Sequence, residues 1–403
     1  MAEVGVLGAG TMGTGIAQIA ALGGYETRLY DPDPAAAEGA AIRLGEALAK
    51  GLQHARWTEL EAEEALDRVA TTNEFGELAE CELLIEAAPE RVELKRDLFA
   101  RVAAICAPDA VLATNTSSLR VADIAAGIPH PERVLGMHFF NPPALMKLVE
   151  VVATDRSSEV ALAATEEVAL RMGRTPIRAK DSPGFVANRL ARPFALESLR
   201  MLGDGLAEAE RIDRIVRLGG GFRMGPFQLI DLIGLDVNLE IARSFFDQGG
   251  EPERWRPSPI QERLVAEGKL GRKSGEGYYR YGEGVERELD PELGILAPTL
   301  DPEKLERIDP VATAVLSRLF AQIANETAFA LEEGIASPAD MDTAMQLGLN
   351  WPSGPLSLAE KIGAGPAVEL LERLESEQGG AYAQAPLLRF AAERGETLRD
   401  TQL

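Results

Sequence analysis

The chain has 403 residues, 46% hydrophobic and 26% charged, which is the composition of a folded protein of two or three domains with sizeable cores and excludes a disordered one. A net charge of −23 and a pI of about 4.7 exclude a broad phosphate-binding surface, so no nucleic-acid partner is expected and an anionic ligand must be met by local cations or backbone amides. Cys81 and Cys106 stand apart from any CxxC or metal-ligand spacing, which argues against a disulfide framework or a metal site and for a reducing compartment.

The N-terminus, MAEVGVLGAG, enters a strand at once, without a basic region, apolar segment and cleavage site, and no run of about 18 apolar residues follows. A cytoplasmic protein with no membrane partner is expected. Glu3 to Leu7 reads as a buried strand, followed directly by Gly8-Ala9-Gly10-Thr11-Met12-Gly13 and an apolar-periodic helix from Thr14 to Leu22. This is GxGxxG between strand and helix: Gly8 allows the tight turn, Gly10 lets the backbone approach a pyrophosphate, and Gly13 lets the helix pack close to the strand. The helix N-terminus turns its unpaired amides toward the phosphates. A second strand, Glu26 to Tyr30, ends in Asp31, at the spacing of a ribose-binding acid. Its charge would repel a 2′-phosphate, and Pro32, Asp33 and Pro34 supply no cation beside it, so NAD is expected rather than NADP.

Ala35 to Leu66 reads as two helices broken near Gly51 to Trp57, longer than an ordinary crossover. Lys50, His54 and Arg56 cluster at the break, as candidates to hold an anionic substrate tail or simply as a solvated helix face. Alternation then resumes with strand Arg68 to Thr71, helix Glu74 to Ala79, strand Glu82 to Ala87, helix Val92 to Ile105 and strand Ala110 to Asn115. Repeated βα units mean a parallel sheet with functional groups at the carboxyl ends of its strands, where Glu86 to Glu90 and Asn115 to Ser118 fall. Ser117 is both a candidate substrate contact and a candidate N-cap of a helix from Leu119 to Ala125.

The run Arg133 to Glu150, RVLGMHFFNPPALMKLVE, holds His138, one of three histidines in the chain. Val134 to Phe140 and Lys147 to Val152 read as two strands separated by Asn141-Pro142-Pro143, and their pairing brings Glu150 beside the imidazole. A histidine held by a glutamate is a general acid/base unit, because the carboxylate fixes the tautomer and stabilises the imidazolium formed on proton uptake. A helix from Ser158 to Met172 and a strand from Thr175 to Ala179 complete the domain. Pro183-Gly184 marks its boundary, and Asn188 lies just inside the next helix, as a substrate contact or a polar residue between helices.

Taken together, GAGTMGTGIA, the Asn115-Thr-Ser-Ser run, MHFFNP, MKLVEV, DSPGFVANR, MGPF at Met224 to Phe227 and KLGRKSGEGYY at Lys269 to Tyr279 resemble the L-3-hydroxyacyl-CoA dehydrogenase family, which includes 3-hydroxybutyryl-CoA dehydrogenases. The resemblance implies NAD as cofactor and an acyl-CoA thioester as substrate, oxidised from the L-3-hydroxyacyl to the 3-ketoacyl form. It makes His138 the acid/base, Glu150 its partner, and Ser117 and Asn188 the substrate residues. For the cofactor it implies Gly8, Gly10, Thr11, Met12, Gly13 and Asp31 in the first βαβ unit, and beyond it Glu90, Lys95, Asn115, Ser117, Asn141 and Lys273. The family can hold coenzyme A with a serine and a lysine on its inserted helices, where this chain offers Ala47 and His54, so the tail contacts depart from the pattern.

Beyond this region the chain repeats itself. Leu190 to Gly234 aligns without a gap on Leu319 to Gly363, at an offset of 129 residues, the separation of Glu197 from Glu326. Gly205, Asp213, Gly219 and Gly225-Pro226 meet Gly334, Asp342, Gly348 and Gly354-Pro355. The fold expected is an α/β Rossmann-type N-terminal domain with a mostly parallel sheet, followed by two similar all-α domains. Residues 1–181 form the NAD-binding domain, 182–282 the first helical copy, 283–309 a linker and 310–403 the second, degenerate copy. Asn188 is met by Ser317, and no second glycine-rich unit occurs, so one active site is expected per chain, as a monomer with an internal pseudo-dimer or as a homodimer. The alternatives are a 3-hydroxyadipyl-CoA dehydrogenase and, in a different class, a crystallin-like structural protein without turnover. A crystallin would be free to lose Ser117, His138, Glu150 and Asn188, all of which are present.

Overall fold

The computed structural model describes residues 3–282 and 309–401. They divide into two compact units, one ending at Phe185 and the other beginning at Val186. Apart from Asp309, the linker expected over 283–309 lies outside the described residues.

The first unit is built on eight strands: β1 (Glu3–Leu7), β2 (Glu26–Tyr30), β3 (Val69–Thr72), β4 (Leu83–Glu86), β5 (Val111–Thr114), β6 (Val134–Phe139), β7 (Leu148–Ala153) and β8 (Thr175–Lys180). They form one sheet in the order β3-β2-β1-β4-β5-β6-β7-β8. Every neighbouring pair is parallel except β6 and β7. The central strands are short apolar runs because helices cover both faces: α1 (Thr11–Leu22), α2 (Pro34–Gln53), α3 (Glu59–Asp67), α4 (Val92–Ile105), α5 (Val121–Ala125) and α6 (Glu159–Arg171). Val4, Val6, Ile16, Leu29, Ile85, Ala113, Leu135 and Val151 share one buried cluster. The order reverses at β1, between β2 and β4, which opens a crevice at the strand carboxyl ends.

The expected α/β architecture stands, with local differences. Helix α1 begins at Thr11, so Gly13 sits within its first turn instead of before it. The helix expected over Glu74 to Ala79 is a single 3-10 turn, Phe75–Leu78, within the ten residues that separate β3 from β4. The inserted α2–α3 pair is closed by Trp57, whose Nε1 donates to the Leu48 carbonyl at 2.9 Å. Its ring packs where a Cβ on Gly51 would sit, 1.7 Å away, so only glycine lets the two helices turn there.

The second unit is helical: α7 (Ala187–Leu190), α8 (Arg192–Gly203), α9 (Ala209–Leu218), α10 (Pro226–Ile233), α11 (Leu235–Gln248) and α12 (Pro259–Ala266), then helices Pro310–Glu332, Pro338–Gly348, Pro355–Ile362, Ala364–Gln378 and Pro386–Arg394. The sequence repeat is also a structural one. Asp213 accepts the Phe227 amide at 2.8 Å, and its counterpart Asp342 accepts the Leu356 amide at 3.0 Å, so the same carboxylate caps the same helix in each copy. The copies pack on each other, α8 against Pro310–Glu332.

Their contact is reciprocal. Arg189 donates to Glu326 at 2.9 Å and to Glu333 at 2.6 Å, while Arg318 donates to Glu197 at 2.7 Å and to Asp204 at 2.7 Å. Each arginine, glutamate and outer acid maps onto its opposite number at the repeat offset, as residues do across the two-fold axis of a homodimer. Phe222 and its counterpart Trp351 meet edge to face at 5.3 Å.

Candidate active site

Register builds the centre of the first unit. In the antiparallel β6–β7 ladder His138 lies directly opposite Glu150, so both side chains leave the same face of the sheet. His138 Nδ1 and Glu150 Oε2 are 2.6 Å apart, with the histidine 5% exposed and the glutamate 0%. Among the described residues the imidazole hydrogen-bonds to Glu150 alone. With Nδ1 as the donor, Nε2 is left with its lone pair free, which is the form a proton acceptor needs. The ring rests against Phe140 and Phe185, at centroid distances of 4.6 and 5.7 Å. Asn115, at the end of β5, accepts the Phe139 amide at 2.8 Å and so ties two strand ends together. Asn141, in cis linkage to Pro142, is exposed in the turn that follows.

The glycine loop fits a dinucleotide. Gly8 has φ +107°, and a Cβ there would lie 2.7 Å from the Ala87 carbonyl oxygen; a Cβ on Gly13 would lie 1.7 Å from the Gly8 carbonyl oxygen. Those two glycines are required by the protein's own packing. Gly10 is not, since a Cβ there meets nothing within 4 Å. Open space beside Gly10, at a helix N-terminus that no side chain caps and no acidic residue occupies, is what the approach of a pyrophosphate requires. Thr11 and Met12 form the opening of that helix. Asp31 Oδ2 accepts the Ala9 amide at 2.9 Å, which fixes the carboxylate beside the loop. The Ala9 carbonyl in turn accepts from Arg43 Nη2 at 2.6 Å. The sequence reading missed this cation, because it looked next to Asp31 in the chain and the guanidinium arrives from α2.

Lys95 is 1% exposed, with Nζ 2.7 and 2.9 Å from the two oxygens of Glu86 and 3.2 Å from Glu90. Thr114 adds a hydroxyl to Glu86 at 2.6 Å. Glu90 gathers the β5 loop, accepting from the Thr116 hydroxyl at 2.6 Å and from the Ser117 and Ser118 amides at 3.1 Å each. Burial pushes the Glu90 carboxyl up, but the Lys95 ammonium and the Thr116 and Ser118 hydroxyls outweigh it and hold it below the usual range. Lys95 is therefore directed at the two carboxylates, and it shapes the loop that carries Ser117.

The capping role read for Ser117 belongs to others. Thr116 accepts the Leu119 amide, and α5 starts only at Val121, with the Val121 and Ala122 amides donating to Asp181 at 2.9 and 2.8 Å. A cap supplied from sixty residues away leaves no local signature. Ser117 is exposed, and its hydroxyl makes no hydrogen bond among the described residues. Lys50, His54 and Arg56 are exposed around the end of α2, their side chains likewise without a hydrogen bond or ion pair among the described residues.

Two expected residues belong to the second unit. Asn188 is half-buried in α7, with its side-chain amide unbonded among the described residues. Lys273 donates to Asp236 at 2.6 Å, and that hydrogen bond holds the Asp236 carboxyl below its usual range.

Comparison with known proteins identifies the family. The model of the 3-hydroxyacyl-CoA dehydrogenase NAD-binding domain matches residues 3–182, and that of the family's C-terminal domain matches twice, over 184–281 and 315–402. A 3-hydroxyadipyl-CoA dehydrogenase of Escherichia coli (strain K12) is 35% identical, covering 96% of this chain and 97% of its own. A probable 3-hydroxybutyryl-CoA dehydrogenase of Bacillus subtilis (strain 168) is 40% identical over 70% of this chain and 98% of its own. A crystal structure of 3-hydroxybutyryl-CoA dehydrogenase from Escherichia coli K12 superposes with a TM-score of 0.88 at 34% identity, covering 98% of both chains. With both halves matched by the family's models and nearly the whole length matched by relatives, the chain belongs to the NAD-dependent 3-hydroxyacyl-CoA dehydrogenases.

Proposed function

We propose that His138 is the acid/base of this dehydrogenase, and the observation that carries the proposal is its buried 2.6 Å contact with Glu150. Oxidation of a secondary alcohol removes a hydride from carbon and a proton from oxygen; the nicotinamide, when bound, accepts the hydride. His138 takes the hydroxyl proton on Nε2. Glu150 holds the ring through Nδ1 and stabilises the imidazolium that results. The Phe140 and Phe185 rings shield the pair from water, which strengthens the attraction between its charged forms. Ser117, whose hydroxyl makes no hydrogen bond among the described residues, and Asn188 orient the substrate oxygens. Gly8, Gly10 and Gly13, the α1 amides and Asp31 hold the cofactor, with Glu90, Lys95 and Asn115 keeping the neighbouring strand ends in place. Lys50, His54 and Arg56 are available to the phosphates of coenzyme A.

We further infer a monomer whose two helical copies form the dimer-type interface within one chain, supported by the reciprocal Arg189–Glu326 and Arg318–Glu197 pairs. A cytoplasmic setting is supported by Cys81 and Cys106, both free and buried. No described helix is long and apolar enough to cross a membrane.

The test is NADH formation from L-3-hydroxybutyryl-CoA, with free 3-hydroxybutyrate as control. His138→Gln should lower kcat at least about 100-fold, the scale of general acid/base catalysis, with NAD affinity nearly intact. Glu150→Gln should lower kcat comparably, because an amide can present its N–H to the ring and stabilise the wrong tautomer. Near-normal turnover in His138→Gln removes the residue from the mechanism. A wild type that binds NAD yet turns over no 3-hydroxyacyl-CoA would support the crystallin-like alternative.

A further inference from the structure

Arg192 opens α8 and is 7% exposed, yet among the described residues no carboxylate lies within ion-pair distance of it. Its Nε donates to the Asn188 carbonyl at 3.2 Å, its guanidinium lies 5.1 Å from the Phe245 ring centroid, and its Nη1 is buried without a hydrogen-bond partner. An arginine does not give up its charge at neutral pH, so a buried one normally has an acid beside it. Arg189 and Arg318, the neighbouring buried arginines of the same unit, have two each. Burial pulls the Arg192 guanidinium down to about 10, which still leaves it a cation in a cell.

The repeat shows that the fold does not need this charge. The position equivalent to Arg192 in the second copy is Ala321, fully buried in the same helix, and the position equivalent to Asn188 is Ser317. The cation therefore occurs only in the copy that carries Asn188. Asn188 and Arg192 stand four residues apart, on one side of the α7–α8 segment, and both have hydrogen-bonding groups unmet within the described residues.

We propose that Arg192 receives the terminal carboxylate of a dicarboxylic acyl chain, which makes the preferred substrate a 3-hydroxyacyl-CoA with an acid at its far end. This rests on the dehydrogenase reading and on Asn188 as a substrate residue. A buried guanidinium admits a small anion carried on an apolar arm and disfavours a methyl terminus, which would leave the charge unpaired. The bulky phosphates of coenzyme A suit the exposed cations of α2 instead.

The experiment uses the full-length protein, with L-3-hydroxyadipyl-CoA and L-3-hydroxyhexanoyl-CoA as six-carbon substrates that differ only in the terminal group. Wild type should favour the adipyl substrate at least about 10-fold in kcat/KM, and Arg192→Met should cut the adipyl-to-hexanoyl ratio at least about 100-fold, within the range for a lost buried polar contact. Arg192→Lys should retain part of the preference. Calorimetric titration with adipyl-CoA and hexanoyl-CoA, which lack the reacting hydroxyl, reads the same discrimination without turnover. Equal wild-type affinity for the two overturns the proposal, whether or not any variant folds. So does an Arg192→Met protein that loses both substrates in equal proportion, since that would mark a contact to the shared thioester arm or a purely structural role. Discrimination in calorimetry without NADH formation from either substrate would retain the site and refute the dehydrogenase reading.

Discussion

Arg318→Met should destabilise the helical unit more than Arg189→Met, although the two positions are equivalent in the repeat. Each substitution removes one partner of a buried ion pair, a change worth about 3–5 kcal/mol because the remaining carboxylate stays desolvated. What remains differs between the two sites. Glu326 loses Arg189 but keeps the Trp255 indole at 2.9 Å and Arg254 Nε at 3.0 Å, which places Arg189→Met near the lower end, about 3 kcal/mol. Glu197 is fully buried and among the described residues keeps only Arg200 at 3.3 Å and the Tyr382 hydroxyl at 3.4 Å, and burial already pushes its carboxyl up. Arg318→Met therefore belongs at the upper end, about 5 kcal/mol. For a unit of this size each kcal/mol moves the melting temperature by about 2–4 °C, so the transition should fall by about 6–12 °C in the first variant and about 10–20 °C in the second. Differential scanning calorimetry of the full chain reads both. Arg318→Met combined with Glu197→Met should recover much of the loss, because the uncompensated charge is gone. Shifts below about 2 °C in both single variants, or a double variant as unstable as the sum of its parts, would show that the pairs do not hold the copies together.

Asp31→Ser should weaken NAD binding and narrow its preference over NADP, and adding Arg43→Ala should remove the gain in NADP affinity, since Arg43 reaches the same loop residue; fluorescence titration with each cofactor measures it, and a wild type that prefers NADP contradicts the assignment. Truncation after Gly282 strips Glu197 and Arg189 of their partners in the second copy and uncovers the packed face of α8, so the fragment should aggregate or pair with a second copy; a soluble, monomeric, fully active fragment would refute internal docking. Calorimetry should find one NAD per chain, and two would refute the single site. Burial pushes the Asp213 carboxyl up to about 6 from 3.8. The native state thus favours its neutral form, and that contribution is complete below about pH 4 and is lost as pH rises through about 6, up to about 3 kcal/mol. Asp213→Asn should flatten this part of the stability profile relative to wild type in urea titrations, and an identical profile would assign the dependence to other groups.

Features that depend on near neighbours in the chain are legible in the order of its residues. The glycine loop between β1 and α1, the acid at the end of β2, the βα alternation and the repeat offset of 129 residues are all patterns of local spacing, and local spacing fixes backbone period and turn geometry. Even the pairing of His138 with Glu150 was legible, because the two strands adjoin in the chain and the turn between them is short. Which distant groups share a buried space emerges only when the chain is packed. Arg43 reaches the glycine loop from the inserted helix α2, Asp181 caps α5, Lys95 is enclosed by Glu86 and Glu90, and Arg189 and Arg318 each find their acids in the other helical copy. Arg192, without an acid beside it among the described residues, belongs with these. A charged residue in a helical sequence pattern looks solvated until packing removes the water, and only then does the absence of a partner acquire an energetic meaning.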